Sequence, residues 1–218
     1  MVERLMQKNI ETYIINLEKR TERYAHANMQ FLRKNQFEVN FVRAIENVNG
    51  ALGLWQTIVC TIQSLDPNEN DYILICEDDH TFTKKYNIQK LLSTIREAQE
   101  KQADVLLGGV SWFLDALQIS ENLFWVDQFT GTQFMIIFRK FYQTILNADF
   151  NMGDTADRKI CALTTNKLLI YPFISVQKEF GYSDATPFNN KEGYVTEIFE
   201  KSSVVLSNMV KVNSFYNT

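Results

Sequence analysis

The sequence YILICEDD, residues 72–79, consists of five apolar residues followed without a break by three acidic ones. A short, continuous apolar run is typical of a strand that is covered on both faces, as in α/β proteins with a mainly parallel sheet. In such sheets, ligands bind outside the carboxyl ends of the strands. Glu77, Asp78 and Asp79 therefore stand where a binding site is expected.

Strand-like and helix-like segments alternate on both sides of this stretch. The predicted strands contain residues 13–15, 37–41, 72–76, 105–107, 134–138 and 168–171. Apolar residues at helical spacing predict helices through residues 24–32, 55–62, 88–95 and 141–146. In the first helix, the expected buried face contains Tyr24, Ala27, Phe31 and Leu32. The alternation predicts a single α/β domain over residues 1–218, with a Rossmann-like, mainly parallel sheet sandwiched by helices. Residues 189–218 are left unassigned.

Composition excludes several classes of protein. The 218 residues are 45% hydrophobic and carry a net charge of -4, and no run of Lys or Arg is longer than a pair, which argues against a nucleic-acid partner. No stretch of about 18 apolar residues occurs, so neither a transmembrane helix nor a signal peptide is expected. Three widely spaced cysteines favour a reducing cytoplasm and give no zinc-binding pattern.

The acidic cluster has the spacing of a cation site. Glu77 and Asp79 are two residues apart, so in extended backbone they point to the same side and can converge on one hard cation such as Mn²⁺ or Mg²⁺. Such a cation would neutralise a diphosphate. The competing interpretation is a solvated acidic turn at the end of a strand. Repulsion among three adjacent carboxylates favours the cation.

Several short motifs, taken in their order along the chain, resemble those of glycosyltransferase family 25. This family includes bacterial lipopolysaccharide glycosyltransferases and the procollagen galactosyltransferases of animals. Residues 14–23, IINLEKRTER, are similar to the family's opening I-N-L-x-x-R-x-x-R. The further matches are FVRA at 41–44, the apolar strand with EDD at 72–79, GT at 131–132 with IIFRK at 136–140, Asp157 with Ile160, and Pro172 with Gln177. One departure is Gln56-Thr57, where the family usually has a Ser-His pair.

The resemblance implies a GT-A-like fold and a UDP-sugar donor, often UDP-galactose. It also implies inverting transfer to a glycan hydroxyl in the synthesis of lipopolysaccharide or another surface polysaccharide. The residues assigned to the nucleotide-sugar are Asn16, Arg20, Arg23, Asp78, Gly131 and Thr132. Inversion requires a general base for the acceptor hydroxyl. That role is assigned to Asp157, with Asp154 in reserve, and the competing interpretation is that either aspartate caps a helix.

Alternatives remain for individual residues. Arg20 and Arg23 could bind a phosphate, pair with a carboxylate of the cluster, or lie solvated at the start of a helix. Trp112 and Trp125 could stack on sugars, although tryptophans that flank strands more often pack in the core. His80 is either a ligand beside Asp79 or a surface histidine.

Three functions are weighed for the whole chain. The first is the glycosyltransferase, in the cytoplasm or, with a lipid-linked acceptor, at the inner face of the membrane. The second is a catalytically degenerate scaffold that binds a nucleotide-sugar or glycan. The third is a nucleotidyltransferase, against which stands the absence of a glycine-rich, basic loop after the first strand.

Overall fold

The computed structural model describes residues 9–66, 70–182 and 191–216. The strands are β1 Ile10–Asn16, β2 Phe37–Arg43, β3 Tyr72–Glu77, β4 His80–Phe82, β5 Val105–Leu107, β6 Trp112–Phe113, β7 Ala116–Gln118, β8 Leu123–Val126, β9 Phe129–Thr130, β10 Phe134–Phe138, β11 Lys167–Ile170 and β12 Ser175–Gln177. The helices are α1 Thr21–Phe31, α2 Gly50–Gln63, α3 Ile88–Glu100, α4 Arg139–Leu146, α5 Ala156–Leu163 and α6 Tyr194–Tyr216.

Eight of these strands form one sheet in the order β2-β1-β3-β10-β5-β11-β8-β7. The pairs β1–β2, β1–β3 and β5–β11 are parallel, whereas β10 and β8 are antiparallel to both of their neighbours. All strands but these two therefore point the same way. Because β10 is antiparallel to β3, its first residues lie beside the last residues of β3, with Phe134 opposite Cys76.

Helices cover both faces of the sheet. Side chains alternate along a strand, and in β3 Ile73 and Ile75 pack in one hydrophobic cluster while Leu74 and Cys76 pack in another. Helices α2, α4, α5 and α6 contribute side chains to the first cluster, and helices α1 and α3 contribute to the second. All four β3 side chains are at most 1% exposed, as expected for a central strand. The predicted α/β architecture, a GT-A-like mainly parallel sheet sandwiched by helices, is confirmed.

The buried face of α1 differs from the prediction. Ala27 and Phe31 are buried as expected, but Tyr24 is 45% exposed and Leu32 is 52% exposed, so their placement in the core was wrong. The third member of the buried face is Arg23. Apolar periodicity does not predict this position, because the arginine is stabilised there by carboxylates from another part of the chain.

Helix α6 lies within residues 189–218, where the sequence pattern predicts no element. It has 23 residues, and Val195, Phe199, Ser202 and Leu206 form its buried side. No helix in the described ranges is both long and apolar enough to cross a membrane.

Candidate functional site

A cleft of about 800 Å³ lies at the carboxyl end of β3. Its lining comes from the ends of β1 and β3, the turn before β10, and residues of α2, α5 and α6. The predicted site residues in its wall are Arg20, Arg23, Glu77, Asp78, Asp79, Gly131, Thr132 and Asp157. Residues from four separate segments thus meet in one place, as predicted for the carboxyl edge of such a sheet.

Arg23 is held by the middle residue of the acidic cluster. Its Nη1 donates to Asp78 Oδ1 at 2.7 Å and lies 3.4 Å from Asp79 Oδ2, and its Nη2 donates to the carbonyl of Tyr182 at 3.0 Å. Asn16 Nδ2 donates to the second Asp78 oxygen at 2.9 Å. Arg23 is 5% exposed and Asp78 is 4% exposed. The interpretation of Arg23 as a solvated residue is therefore wrong. Asn16 does not line the cleft and contacts the site through Asp78 and the Arg20 carbonyl.

Glu77 and Asp79 are the other two members of the cluster, and among the described residues the cation within ion-pair distance of this pair is Arg23, 3.4 Å from Asp79. Thr132 Oγ1 donates to Glu77 Oε1 at 2.6 Å, whereas Asp79 Oδ1 is buried without a hydrogen-bond partner in the described part of the chain. Burial, and then repulsion from Glu77, raise the pKa of Asp79 well above its ordinary value. Burial also raises the pKa of Glu77, although the hydrogen bond from Thr132 opposes that shift.

This pair fits a divalent cation. Within residues 9–66, 70–182 and 191–216, no group of three or more His, Cys, Asp or Glu side chains is arranged to hold a metal ion. Magnesium, however, is commonly bound by one or two carboxylates, with water and substrate phosphates as its remaining ligands. Carboxylate oxygens also suit Mn²⁺. The buried Asp79 Oδ1, which has no hydrogen-bond partner among the described residues, is an oxygen that such a cation could bind.

Asp157 links the start of α5 to the turn before β10. Its Oδ2 accepts the Gly131 N–H at 3.2 Å, and its Oδ1 accepts the Arg158 N–H at 2.8 Å and the Thr155 hydroxyl. Gly131 has a φ of 109°, a conformation that favours glycine. The N-cap of α5 is Thr155, so neither aspartate occupies that position.

Asp154 lies outside the wall of the cleft. Its Oδ2 is 2.8 Å from Lys159 Nζ and accepts the Asn151 N–H at 2.8 Å. The hydrogen bond from Lys159 and the one from Asn151 lower the pKa of Asp154. The structure does not bring this reserve candidate together with the other site residues.

Two aromatic rings that the sequence reasoning missed flank Arg23. The guanidinium carbon lies 4.7 Å from the centre of the Phe180 ring and 4.9 Å from that of Tyr182, and Arg20 is 5.2 Å from Tyr182. Contacts of this kind stabilise a cation over an aromatic face. In the sequence, Phe180 and Tyr182 are two residues apart and follow shortly after Gln177 and Lys178. This signal is too weak to distinguish a binding segment from a solvated loop.

Of His80 and the two tryptophans, Trp112 alone lines the cleft. His80 is fully buried and its Nδ1 lies 2.8 Å from Ser175 Oγ, so the prediction of a surface histidine is wrong. Burial lowers its pKa to about 3, and it does not line the cleft. Trp125 donates its indole N–H to the Thr165 carbonyl at 2.6 Å, away from the cleft, whereas Trp112 lines the cleft and is 40% exposed.

Comparisons with known proteins show similarity in structure but not in sequence. No family model and no curated protein matches the sequence. Among solved structures, A197 from STIV is similar at 14% identity with a TM-score of 0.50, over 81% of this chain and 87% of that one. An apo UDP-glucose pyrophosphorylase is similar at 10% identity and a TM-score of 0.48, over 89% and 82%. A Drosophila β1,4-galactosyltransferase 7 mutant in complex with manganese, UDP-Gal and xylobiose is similar at 11% identity and a TM-score of 0.44, over 75% and 66%. At such identity, the likeness to A197 is one of fold alone.

Proposed function

We propose that this chain is a glycosyltransferase that moves a hexose from a UDP-sugar to a glycan hydroxyl with the help of a divalent cation. The observation that carries the proposal is the pair of under-neutralised carboxylates, Glu77 and Asp79, in one cleft with the basic residues Arg20 and Arg23. A nucleoside diphosphate brings negative charge to such a place only together with a cation.

Glu77 and Asp79 are the residues that would hold the cation. When bound, Mn²⁺ or Mg²⁺ would neutralise the diphosphate and stabilise the charge that it gains as a leaving group. Thr132 fixes the orientation of Glu77 through the hydrogen bond to Oε1. Arg23 and Asn16 occupy both oxygens of Asp78, which leaves the two outer carboxylates to face the cleft.

Asp157 is the proposed general base. The acceptor O–H bond breaks as its oxygen attacks the anomeric carbon, the bond from that carbon to the diphosphate breaks, and the proton passes to the Asp157 carboxylate. A carboxylate has about four acceptor sites, and three of those of Asp157 are used by Gly131, Thr155 and Arg158. One site remains for the hydroxyl, and the three hydrogen bonds hold the carboxylate in a fixed orientation.

The resemblance to family 25 supports the finer parts of the proposal. It favours UDP-galactose as donor, inversion at the anomeric carbon, and a role in lipopolysaccharide or other surface polysaccharide biosynthesis. The three widely spaced cysteines favour action in the cytoplasm, at the inner face of the membrane if the acceptor is lipid-linked. These parts rest on the motifs in the sequence.

A binding scaffold without turnover is the second candidate, and one observation favours it. Arg23 already places a permanent positive charge 2.7 Å from Asp78 and 3.4 Å from Asp79. Such a built-in cation could substitute in part for a metal ion and leave a site that binds a nucleotide-sugar without activating it.

Release of UDP separates the two candidates. The purified protein is incubated with UDP-galactose or UDP-glucose and Mn²⁺, and free UDP is measured over time, because an active transferase leaks some sugar to water. The proposal predicts UDP release that Asp157→Asn lowers by about a hundredfold, as for loss of a general base. Asp154→Asn is the matched control, since it makes the same change three residues earlier and outside the cleft. Binding of UDP without any release would support the scaffold instead.

A further inference from the structure

We infer that Trp112 and Arg158 form an acceptor subsite that recognises a sugar carrying an anionic group, either a carboxylate or a phosphate. The inference deepens the proposed function, because it takes the ligand at this place to be the acceptor. Neither side chain takes part in the cation site or in the proposed proton transfer.

Trp112 and Arg158 line the cleft on segments of the chain other than those that carry Arg23 and the acidic cluster. Trp112 belongs to β6, which follows β5, and β5 is separated from β3 by β10. Arg158 follows Asp157 in α5. Asp157, Arg158 and Trp112 line the same cleft, so a ligand that rests on Trp112 could present a hydroxyl to Asp157.

The backbone that carries Trp112 is held from two sides although its ring is 40% exposed. The Ser111 N–H donates to the Thr130 carbonyl at 2.9 Å, and Ser202 Oγ of α6 donates to the Ser111 carbonyl at 2.8 Å. An exposed indole on a fixed backbone presents apolar area at a small entropic cost on binding. Such a surface suits the apolar face of a pyranose ring.

The Arg158 side chain adds charge to this surface. Its guanidinium carbon lies 4.6 Å from the centre of the Trp112 ring, and its Nη1 donates to Gln128 Oε1 at 2.7 Å. No carboxylate of the described residues lies within ion-pair distance of Arg158, whereas Lys19 and Lys201 in the same cleft pair with Glu46 and Glu197. A guanidinium stacked on a ring keeps its remaining N–H groups directed outward in its plane, where they match a carboxylate or phosphate.

The test measures sugar binding without nucleotide, so that it does not depend on transfer. Saturation-transfer NMR compares methyl glucuronide and glucose 6-phosphate with methyl glucoside on the wild-type chain. We expect both anionic sugars to bind about tenfold more tightly than the neutral one, as for one hydrogen bond to a charged group. Arg158→Gln should remove this preference without changing binding of methyl glucoside, and Trp112→Ala should weaken all three.

Arg96→Gln is the matched control, since Arg96 is exposed on α3, on the other face of the sheet. The comparison of glucuronide with glucose 6-phosphate separates the two sources of the anionic group. Equal binding of neutral and anionic sugars, a preference that survives Arg158→Gln, or binding of none of the three would overturn the inference. Failure of the proposed function would appear differently, as absence of UDP binding, which is measured separately on the same preparation.

Discussion

Replacement of Arg23 by glutamine should destabilise the fold severely, because the side chain neutralises a buried acidic cluster. Arg23 and Asp78 are each at most 5% exposed, and Asp79 lies 3.4 Å from the same nitrogen. Removal of one partner of a buried ion pair costs about 3–5 kcal/mol, because it leaves an uncompensated charge. Against a total stability of about 5–15 kcal/mol, Arg23→Gln should still fold, but with a Tm lower by about 6–20 °C.

Urea unfolding followed by circular dichroism measures this loss, provided that the slope of the transition stays constant. The double variant Arg23→Gln/Asp78→Asn should recover about 1–3 kcal/mol, since it removes the orphaned carboxylate as well. Arg96→Gln on the exposed surface of α3 should change stability by about 0.5 kcal/mol or less. A loss below about 1 kcal/mol in Arg23→Gln, or no recovery in the double variant, would refute the description of the pair as buried and coupled.

Three further predictions concern the cleft. The folded-state pKa of Asp79 lies above the value of about 3.9 in the unfolded chain, so the folded state binds more protons between those two values and stability falls as pH rises through that window. Asp79→Asn should therefore raise the Tm of the ligand-free protein at neutral pH and flatten its dependence on pH, and a lower Tm would contradict the raised pKa. Asp157→Asn should spare UDP affinity measured by calorimetry while turnover falls, and unchanged turnover would remove Asp157 as the base. Gly131→Ala should cost about 1–3 kcal/mol in urea unfolding, because φ is 109° and the added Cβ would lie 2.8 Å from Gln133 Oε1, and a neutral result would show that the turn can relax.

The sequence predicts those parts of the fold in which local pattern and burial agree. The apolar run of β3 and the acidic residues after it place the cleft correctly, because a strand covered on both faces has a recognisable composition. A uniformly apolar composition does not, however, indicate whether a strand runs parallel or antiparallel to its neighbour. Phe134–Phe138 is equally apolar along its length, so nothing in it shows that β10 runs antiparallel to β3.

Long-range partners account for most of what the sequence did not predict. The burial of Arg23 depends on Asp78, 55 positions away, and His80 is buried against Ser175, 95 positions away. The buried face of α6 is formed by Val195, Phe199 and Leu206. Exposed valines, Val204 and Val212 among them, interrupt the apolar periodicity of this helix, so the sequence pattern does not predict it.

The central claim is that Glu77 and Asp79 hold a cation through which the cleft binds the diphosphate of the donor. Calorimetric titration of the chain with UDP, in Mn²⁺ and again in EDTA, tests it most directly. We expect binding in Mn²⁺ that is lost in EDTA and equally lost in Asp79→Asn, while Asp154→Asn, outside the cleft, binds like the wild type. UDP binding of the same strength with and without the metal, or unchanged binding by Asp79→Asn, would contradict the claim.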